Sequence, residues 1–177
     1  IMELADKEIL KAIGGYCHTM VLTSEGYVHT MGCGDNGQRG DGKDDDDRPT
    51  VTQVHLPGLQ KATQIAAGAN HSVILGEDGK AYSFGSNEFG QCGLGNMEEA
   101  ILSPTLIKLP SEAGRVVKIS GGYAHTIIQD DKDQVYSFGQ NVSGQLGIGI
   151  SSFAIPPADV ILPIRASSLK ANIKVSL

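Results

Sequence analysis

The sequence has no tryptophan, and its other aromatic residues are five tyrosines and four phenylalanines in 177 residues. The three cysteines, Cys17, Cys33 and Cys92, form no CxxC pair and no even set, so a disulfide framework is not expected. No apolar run approaches the roughly 18 residues that span a bilayer, and the N-terminus lacks the residue order of a signal peptide. These absences favour a soluble protein of the cytoplasm or nucleus.

Positive charge is also scarce, because 14 Lys and Arg residues stand against 20 Asp and Glu and leave a net charge of −6. Non-specific affinity for nucleic acid comes mainly from Lys and Arg, so direct binding to nucleic acid is not expected. Glycine is abundant, with 23 residues and no Gly-X-Y period. The glycines therefore mark turns in a globular chain.

An internal repeat organises the chain. His18, His71 and His125 are separated by 53 and 54 residues, and a glycine follows each of them 14 residues later, at Gly32, Gly85 and Gly139. The three copies align without gaps over residues 14–42, 67–95 and 121–149. Such a period is the signature of a repeat architecture.

Each copy holds two short β-branched or aromatic stretches around a turn, such as His71-Ser-Val-Ile-Leu and Tyr82-Ser-Phe. This pattern predicts a hairpin, with Gly26, Gly79 and Asp133 in the turn. The linkers add strands at 51–56 and 105–109 and runs that end near residues 66 and 119, and the same proline pattern places another at 156–163. Four strands per repeat predict an all-β propeller with one repeat per blade.

The pattern GGxxHT, a turn, then VYxFGxNxxGQLGxG resembles the regulator of chromosome condensation repeat. The third copy carries the most motif positions: Gly121, Gly122, His125, Tyr136, Gly139, Asn141, Gly144, Gln145, Leu146, Gly147 and Gly149. The resemblance implies a seven-bladed propeller, which at this period needs on the order of 370 residues. We therefore expect residues 1–177 to be a partial propeller of about three blades, with a fourth cut at Leu177.

The resemblance implies two functions, neither of which needs a cofactor. The first is a platform that binds another protein, and the alternative is a guanine-nucleotide exchange factor for a Ran-like small GTPase. In the family the exchange wedge is an insertion after the FG strand, but the intervals Gly32–Gly37, Gly85–Gly90 and Gly139–Gly144 are equal. Ultraviolet sensing through clustered tryptophans is excluded for this segment. Open propeller edges would also favour self-association.

Most repeated residues have structural explanations. His18, His71 and His125 are expected to satisfy buried backbone groups of a neighbouring segment. Gly32, Gly85 and Gly139 permit tight turns, and Asn87 and Asn141 are expected to close turns through their side chains.

The first copy departs from the pattern, with Gly34 in place of the asparagine and Arg39 in place of Cys92 or Leu146. A buried unpaired charge is costly, so Arg39 is expected at an exposed blade edge, where it would contact a partner, or in a local ion pair.

The acidic run Asp44, Asp45, Asp46 and Asp47, followed by Arg48, is the other candidate partner site, since consecutive like charges stay solvated. A zinc site at Cys17, His18, His29 and Cys33 is disfavoured by the ligand spacing. Phosphate-loop and hydrolase motifs are absent, so we expect no metal site and no active site of its own.

Overall fold

The computed structural model describes residues 4–44, 48–149 and 164–165, which form three four-stranded antiparallel sheets. The first sheet contains β1 (Ile9–Gly14), β2 (His18–Thr23), β3 (Val28–Gly32) and β4 (Arg48–Val54). The second contains β5 (Ala62–Ala67), β6 (His71–Gly76), β7 (Ala81–Ser86) and β8 (Ala100–Leu106). The third contains β9 (Val116–Gly121), β10 (His125–Asp130), β11 (Gln134–Gly139) and β12 (Ile164–Arg165). Each sheet is therefore a meander of consecutive strands, which we call blades 1, 2 and 3.

Neighbouring blades meet through their first two strands, since β1 and β2 contact β5, and β5 and β6 contact β9. Long side chains of the first strands also bond across this junction. Lys11 Nζ donates to Ile65 O at 3.1 Å, and Gln64 Nε2 donates to Val117 O at 2.7 Å. The first strands thus lie together and the fourth strands lie outside. This is the radial order of a propeller, so the predicted all-β fold is confirmed.

The core lies between blades rather than inside one sheet. Met20, Ile65 and Ile74 are fully buried between blades 1 and 2, and Val73 and Ile128 are fully buried between blades 2 and 3. Each strand therefore needs apolar side chains on both of its faces, which explains the near-continuous apolar runs of β2 and β6.

Turns that contain glycine lie at the positions where one blade packs against the next. A Cβ on Gly40 would lie 2.7 Å from the Phe84 ring, and a Cβ on Gly93 would lie 2.6 Å from the Phe138 ring. Both phenylalanines are fully buried, so these two glycines make room for the aromatic side chain of the following blade.

The predicted hairpin turns are confirmed. Gly26 and Gly79 have φ of 79° and 75°, and Asp133 takes the same left-handed conformation with φ of 59°. Aspartate tolerates this region better than most residues with a Cβ, because its short side chain bonds locally.

Blade 3 also has a fourth strand, since β12 (Ile164–Arg165) pairs with β11, opposite Val135 and Gln134. The proline pattern places this strand at 156–163. The 156–163 segment itself, and the fourth-blade strand expected near residues 173–177, lie outside the described residues.

Candidate protein-binding face

The repeated histidines hold adjacent blades together. His18 Nε2 of blade 1 lies 2.9 Å from Ser72 Oγ of blade 2, and His71 Nε2 lies 2.9 Å from Thr126 Oγ1 of blade 3. The expectation of a histidine partner in a neighbouring segment is right, but the partner is a side-chain hydroxyl and not a backbone group. The sequence does show the pattern, because Ser or Thr follows each of these histidines.

Each of these hydroxyl groups donates a second hydrogen bond, back to the blade that carries the histidine. Ser72 Oγ donates to Gln38 O at 2.9 Å, and Thr126 Oγ1 donates to Gln91 O at 2.7 Å. A hydroxyl has one proton, so each must accept from the histidine, whose Nε2 therefore carries the hydrogen. The histidines at these two junctions are neutral, and their Nδ1 atoms carry no hydrogen.

Burial keeps these rings neutral. It lowers the pKa of His18 to about 4, and it lowers the pKa of His71 to about 3 with help from the neighbouring histidines. The glycine before each ring gives it space, because a Cβ on Gly15, Gly68 or Gly122 would overlap the imidazole of His18, His71 or His125 respectively. The second glycine of the motif therefore leaves room for the histidine ring.

Glutamine and asparagine close the loop that follows the third strand. Gln91 Oε1 accepts from Phe89 N at 2.9 Å, and Asn87 Oδ1 accepts from Cys92 N at 3.0 Å. In blade 3 Asn141 Oδ1 accepts from Leu146 N at the same distance. Gly32, Gly85 and Gly139 precede these loops with φ of 100°, 104° and 111°. The loops are thus rigid extensions of the blades.

The expectation that Arg39 lies at an exposed edge is wrong. Its side chain is 1% exposed, and its Nε lies 3.2 Å from Asp41 Oδ2 in an ion pair. Its Nη1 also donates to Gly32 O at 3.3 Å. In this conformation Arg39 is not available to a partner, and the local ion pair is the arrangement that the structure contains.

Gly34 is the reason that Arg39 fits. A Cβ on Gly34 would lie 2.6 Å from Arg39 Cζ, so the guanidinium takes the space beside the residue that is Asn87 or Asn141 in the other copies. The two departures of the first copy are therefore one coupled change. They look independent in the sequence, because only packing brings positions 34 and 39 together.

This coupling predicts non-additive substitutions. Gly34→Asn alone should crowd the guanidinium, and Arg39→Leu alone should leave a cavity and an unpaired Asp41, each costing about 2 kcal/mol. The double variant restores the pair found in blade 3 and should cost at least about 1 kcal/mol less than the sum of the singles. Urea unfolding of all four proteins measures this coupling, and simple additivity would contradict it.

The histidine frame supports one face of the propeller. The turns 15–17, 68–70 and 122–124 and the loops 33–44, 87–99 and 140–149 all lie at the strand ends where β2, β6 and β10 begin. We call this the loop face. Tyr16 N donates to Ala69 O, and Ala69 N donates to Tyr123 O, both at 2.9 Å, so the three turns form a continuous rim.

Two tyrosines stand on this rim. Tyr16 is 81% exposed and Tyr123 is 72% exposed, on either side of a shallow hollow floored by Gly15, Gly68 and Gly122. The exposed charged side chains of the described loops are mostly acidic: Asp35, Lys43, Asp44, Glu88, Glu98 and Glu99. The face is therefore aromatic at its centre and negative around it.

The acidic run lies only partly within the described residues. Asp44 is exposed on the loop face, and Arg48 begins β4, opposite Gly32. Asp45, Asp46 and Asp47 lie outside the described residues. Sequence reasoning selected this run by charge but missed Tyr16 and Tyr123. Only the packing of the blades shows that these two tyrosines are exposed next to the repeated glycines.

Within residues 4–44, 48–149 and 164–165, no group of three His, Cys, Asp or Glu side chains could hold a metal ion. The same residues include no helix long and apolar enough to cross a membrane. The described loop face presents exposed aromatic and charged groups.

Family models match this chain over most of its described length. The model for the regulator of chromosome condensation (RCC1) repeat matches residues 25–75 and 78–129, and a second RCC1 repeat model matches 62–91 and 116–145. The chain belongs to the RCC1 repeat family. The matched ranges straddle blade boundaries, because the family models begin at the hairpin turn whereas a blade begins with the strand before the glycine pair.

RCC1 repeat proteins of known sequence and structure resemble it over part of their length. A zebrafish RCC2 homolog is 36% identical over 148 residues, which are 81% of this chain and 29% of that protein. The chain thus spans less than a third of that RCC2 homolog. Its fold matches human WBSCR16 with a TM-score of 0.78 at 20% identity, covering 94% of this chain and 40% of the other.

The yeast protein Prp20p is also similar in sequence and fold. It is 26% identical, with a TM-score of 0.66, over 84% of this chain and 34% of Prp20p. That structure was described together with the binding of Prp20p to Gsp1p and histones.

Proposed function

We propose that this RCC1 propeller segment is a protein-binding platform, with no active site of its own, whose loop face docks a partner that carries lysine or arginine side chains. The observation that carries the proposal is the pair of exposed tyrosines, Tyr16 and Tyr123, on the hydrogen-bonded rim. Tyrosine is enriched at binding hot spots, because it buries a large area at a low cost in side-chain entropy. Such a platform would act in the cytoplasm or nucleus.

Charge supports the choice of partner. Asp35 and Glu88 are exposed at equivalent positions of blades 1 and 2, in the loops that follow the third strands on the same face as the tyrosine rim. A basic partner that docks on this face would meet both tyrosine rings and carboxylates, which combines cation–π contacts with ion pairs. Affinity should therefore fall as salt rises.

A photo-crosslinking amino acid placed at position 16 or position 123 tests the docking face. Both positions should capture the same protein, and position 59 should not, since Leu59 is 83% exposed but lies on the opposite face. With that partner purified, Y16A/Y123A should weaken binding by more than about tenfold, whereas L59A should leave the affinity unchanged. Capture only from position 59 would refute the loop face as the docking site.

Guanine-nucleotide exchange on a Ran-like GTPase is the second candidate, supported by the similarity to Prp20p, which binds Gsp1p. Release of labelled GDP from a panel of small GTPases separates the two candidates. Faster release that is lost in Y16A/Y123A would assign exchange to the loop face. Binding of a partner without faster GDP release would support the platform function and exclude exchange on the GTPases tested.

A further inference from the structure

Cys17 and Cys33 face each other at the end of the β2–β3 hairpin. The strand register ends with His18 opposite Gly32, and just beyond it Cys33 N donates to Cys17 O at 2.9 Å, so the backbones of the two cysteines are adjacent. They are 16 positions apart in the sequence and form no recognisable motif. Only the hairpin register brings them together.

Backbone adjacency of this kind suits a covalent bridge. Opposed residues of a hydrogen-bonded antiparallel pair have Cα atoms about 5.5 Å apart. Cysteines joined in a disulfide usually have Cα atoms about 4.4–6.8 Å apart, most often near 5.5–6 Å. The backbone hydrogen bond between Cys33 and Cys17 therefore holds the two residues at a separation of the order that a disulfide requires.

The glutamine of the loop lies beside one of the two thiols, since Gln38 Nε2 lies 3.8 Å from Cys17 Sγ. In blades 2 and 3 the equivalent amide contacts the residue at the Cys33 position, since Gln91 Nε2 donates to Ser86 Oγ at 3.0 Å and Gln145 Nε2 lies 3.5 Å from Gln140 Oε1. Across the repeat, this amide therefore contacts the Cys17 position in blade 1 and the Cys33 position in blades 2 and 3.

Accessibility distinguishes this pair from the third cysteine. Cys17 and Cys33 are half-buried, so a small reagent can reach them, whereas Cys92 is fully buried. Burial also raises the pKa of Cys92 to about 12, and its thiol lies 3.5 Å from Ser86 O. Cys92 should stay a thiol and serve as an internal control.

We propose that Cys17 and Cys33 form a reversible disulfide by exchange with a small-molecule disulfide such as oxidised glutathione. One thiolate attacks a glutathione sulfur, the glutathione disulfide breaks, and one reduced glutathione leaves. The second thiolate then attacks the cysteine sulfur of the mixed disulfide and expels the second glutathione. Two electrons pass from the cysteines to glutathione, and the two thiol protons end on the two released glutathiones. The inference does not depend on the proposed function.

Intact mass after incubation of the reduced protein with oxidised glutathione tests this site. We expect a product that has lost two hydrogen atoms and carries no glutathione. Proteolysis after Glu25, which lies between the cysteines, should then yield the Cys17 and Cys33 peptides joined and the Cys92 peptide unmodified.

The variant C33S copies the serine that blade 2 has at this position, so it keeps a residue that the repeat already accommodates. It should retain one stable glutathione on Cys17, because the resolving thiol is missing, and C17S should retain one on Cys33. Separate glutathiones on both cysteines of the parent would overturn the proposal, as would a parent that stays fully reduced or a bridge that joins two chains.

Discussion

Lowering the pH from about 7 to about 4.5 should destabilise the propeller by several kcal/mol, because the neutral His18 and His71 rings would have to accept protons in the folded protein. Their pKa values are lowered from 6.5 to about 4 and about 3 by burial. The unfolded chain binds protons near pH 6.5, so this stability is complete above that value. It is lost progressively as the pH falls toward the folded pKa values, on the order of 2 kcal/mol per histidine.

Urea unfolding at a series of pH values measures the effect. His71→Gln keeps an N–H that can reach Thr126 but does not titrate, so its stability should fall about half as steeply between pH 6.5 and 4.5 as that of the parent. His55→Gln is the matched control, because His55 is exposed and outside the histidine chain. Equal slopes for the parent and His71→Gln would contradict the assignment.

Carboxylates act in a lower pH window. Burial opposes ionisation of Asp130, but hydrogen bonds from the N–H groups of Gly114, Gln134 and Lys132 and from the Tyr136 hydroxyl lower its pKa below 3.8. The stability that the ionised Asp130 supplies is present above the pKa of this group in the unfolded chain. It is lost only as the pH falls through the lower pKa of Asp130 in the folded protein. The histidines therefore dominate the range between pH 6.5 and 4.5.

Gly139→Val should be among the most destabilising of the glycine substitutions in the repeat, at about 3 kcal/mol or more. Gly139 has φ of 111°, and a Cβ there would lie 2.5 Å from Ala124 O and 2.8 Å from His125 Cα. Backbone strain and overlap with rigid backbone add, because neither group can move without breaking the hairpin. The urea midpoint of the variant against that of the parent measures the loss.

Substitutions at two other glycines separate the effect of backbone strain from the effect of overlap. Gly144 has φ of 71° but open space around its Cβ position, so Gly144→Val carries the strain alone and should cost about 1–2 kcal/mol. Gly14 lies in β1 with open space and without a positive φ, so Gly14→Val should stay within about 0.5 kcal/mol. A Gly139→Val midpoint equal to that of Gly144→Val would show that overlap contributes nothing.

Local signals account for most of the fold prediction. Alternating apolar runs and turn residues such as Gly79 and Asp133 specify hairpins within a few residues, and the repetition of His18 in His71 and His125 specifies how many. Pairing between strands that are adjacent in the chain needs no distant information.

The candidate site depends more on packing. Charge alone selected Asp44 and its neighbours, and it placed Arg39 at the surface because a guanidinium is normally solvated. Gly34 has no side chain, and this leaves buried space for the Arg39 guanidinium. The identity of residue 39 alone does not reveal that space. In the sequence Tyr16 and Tyr123 look like ordinary core residues. They form an exposed rim only because the turns that carry them hydrogen-bond to each other.

The sequence by itself therefore determined the repeat, the strands, the turns and the family, because each depends on periodicity and on backbone preferences over a few residues. The tertiary structure decided the partners: His18 with Ser72, Arg39 with Gly34 and Asp41, and Cys17 with Cys33. The histidine contact joins two blades, the cysteine contact joins the two ends of a hairpin, and the arginine contacts lie within one loop. Their energies depend on distances of a few ångströms, which only the packed propeller sets.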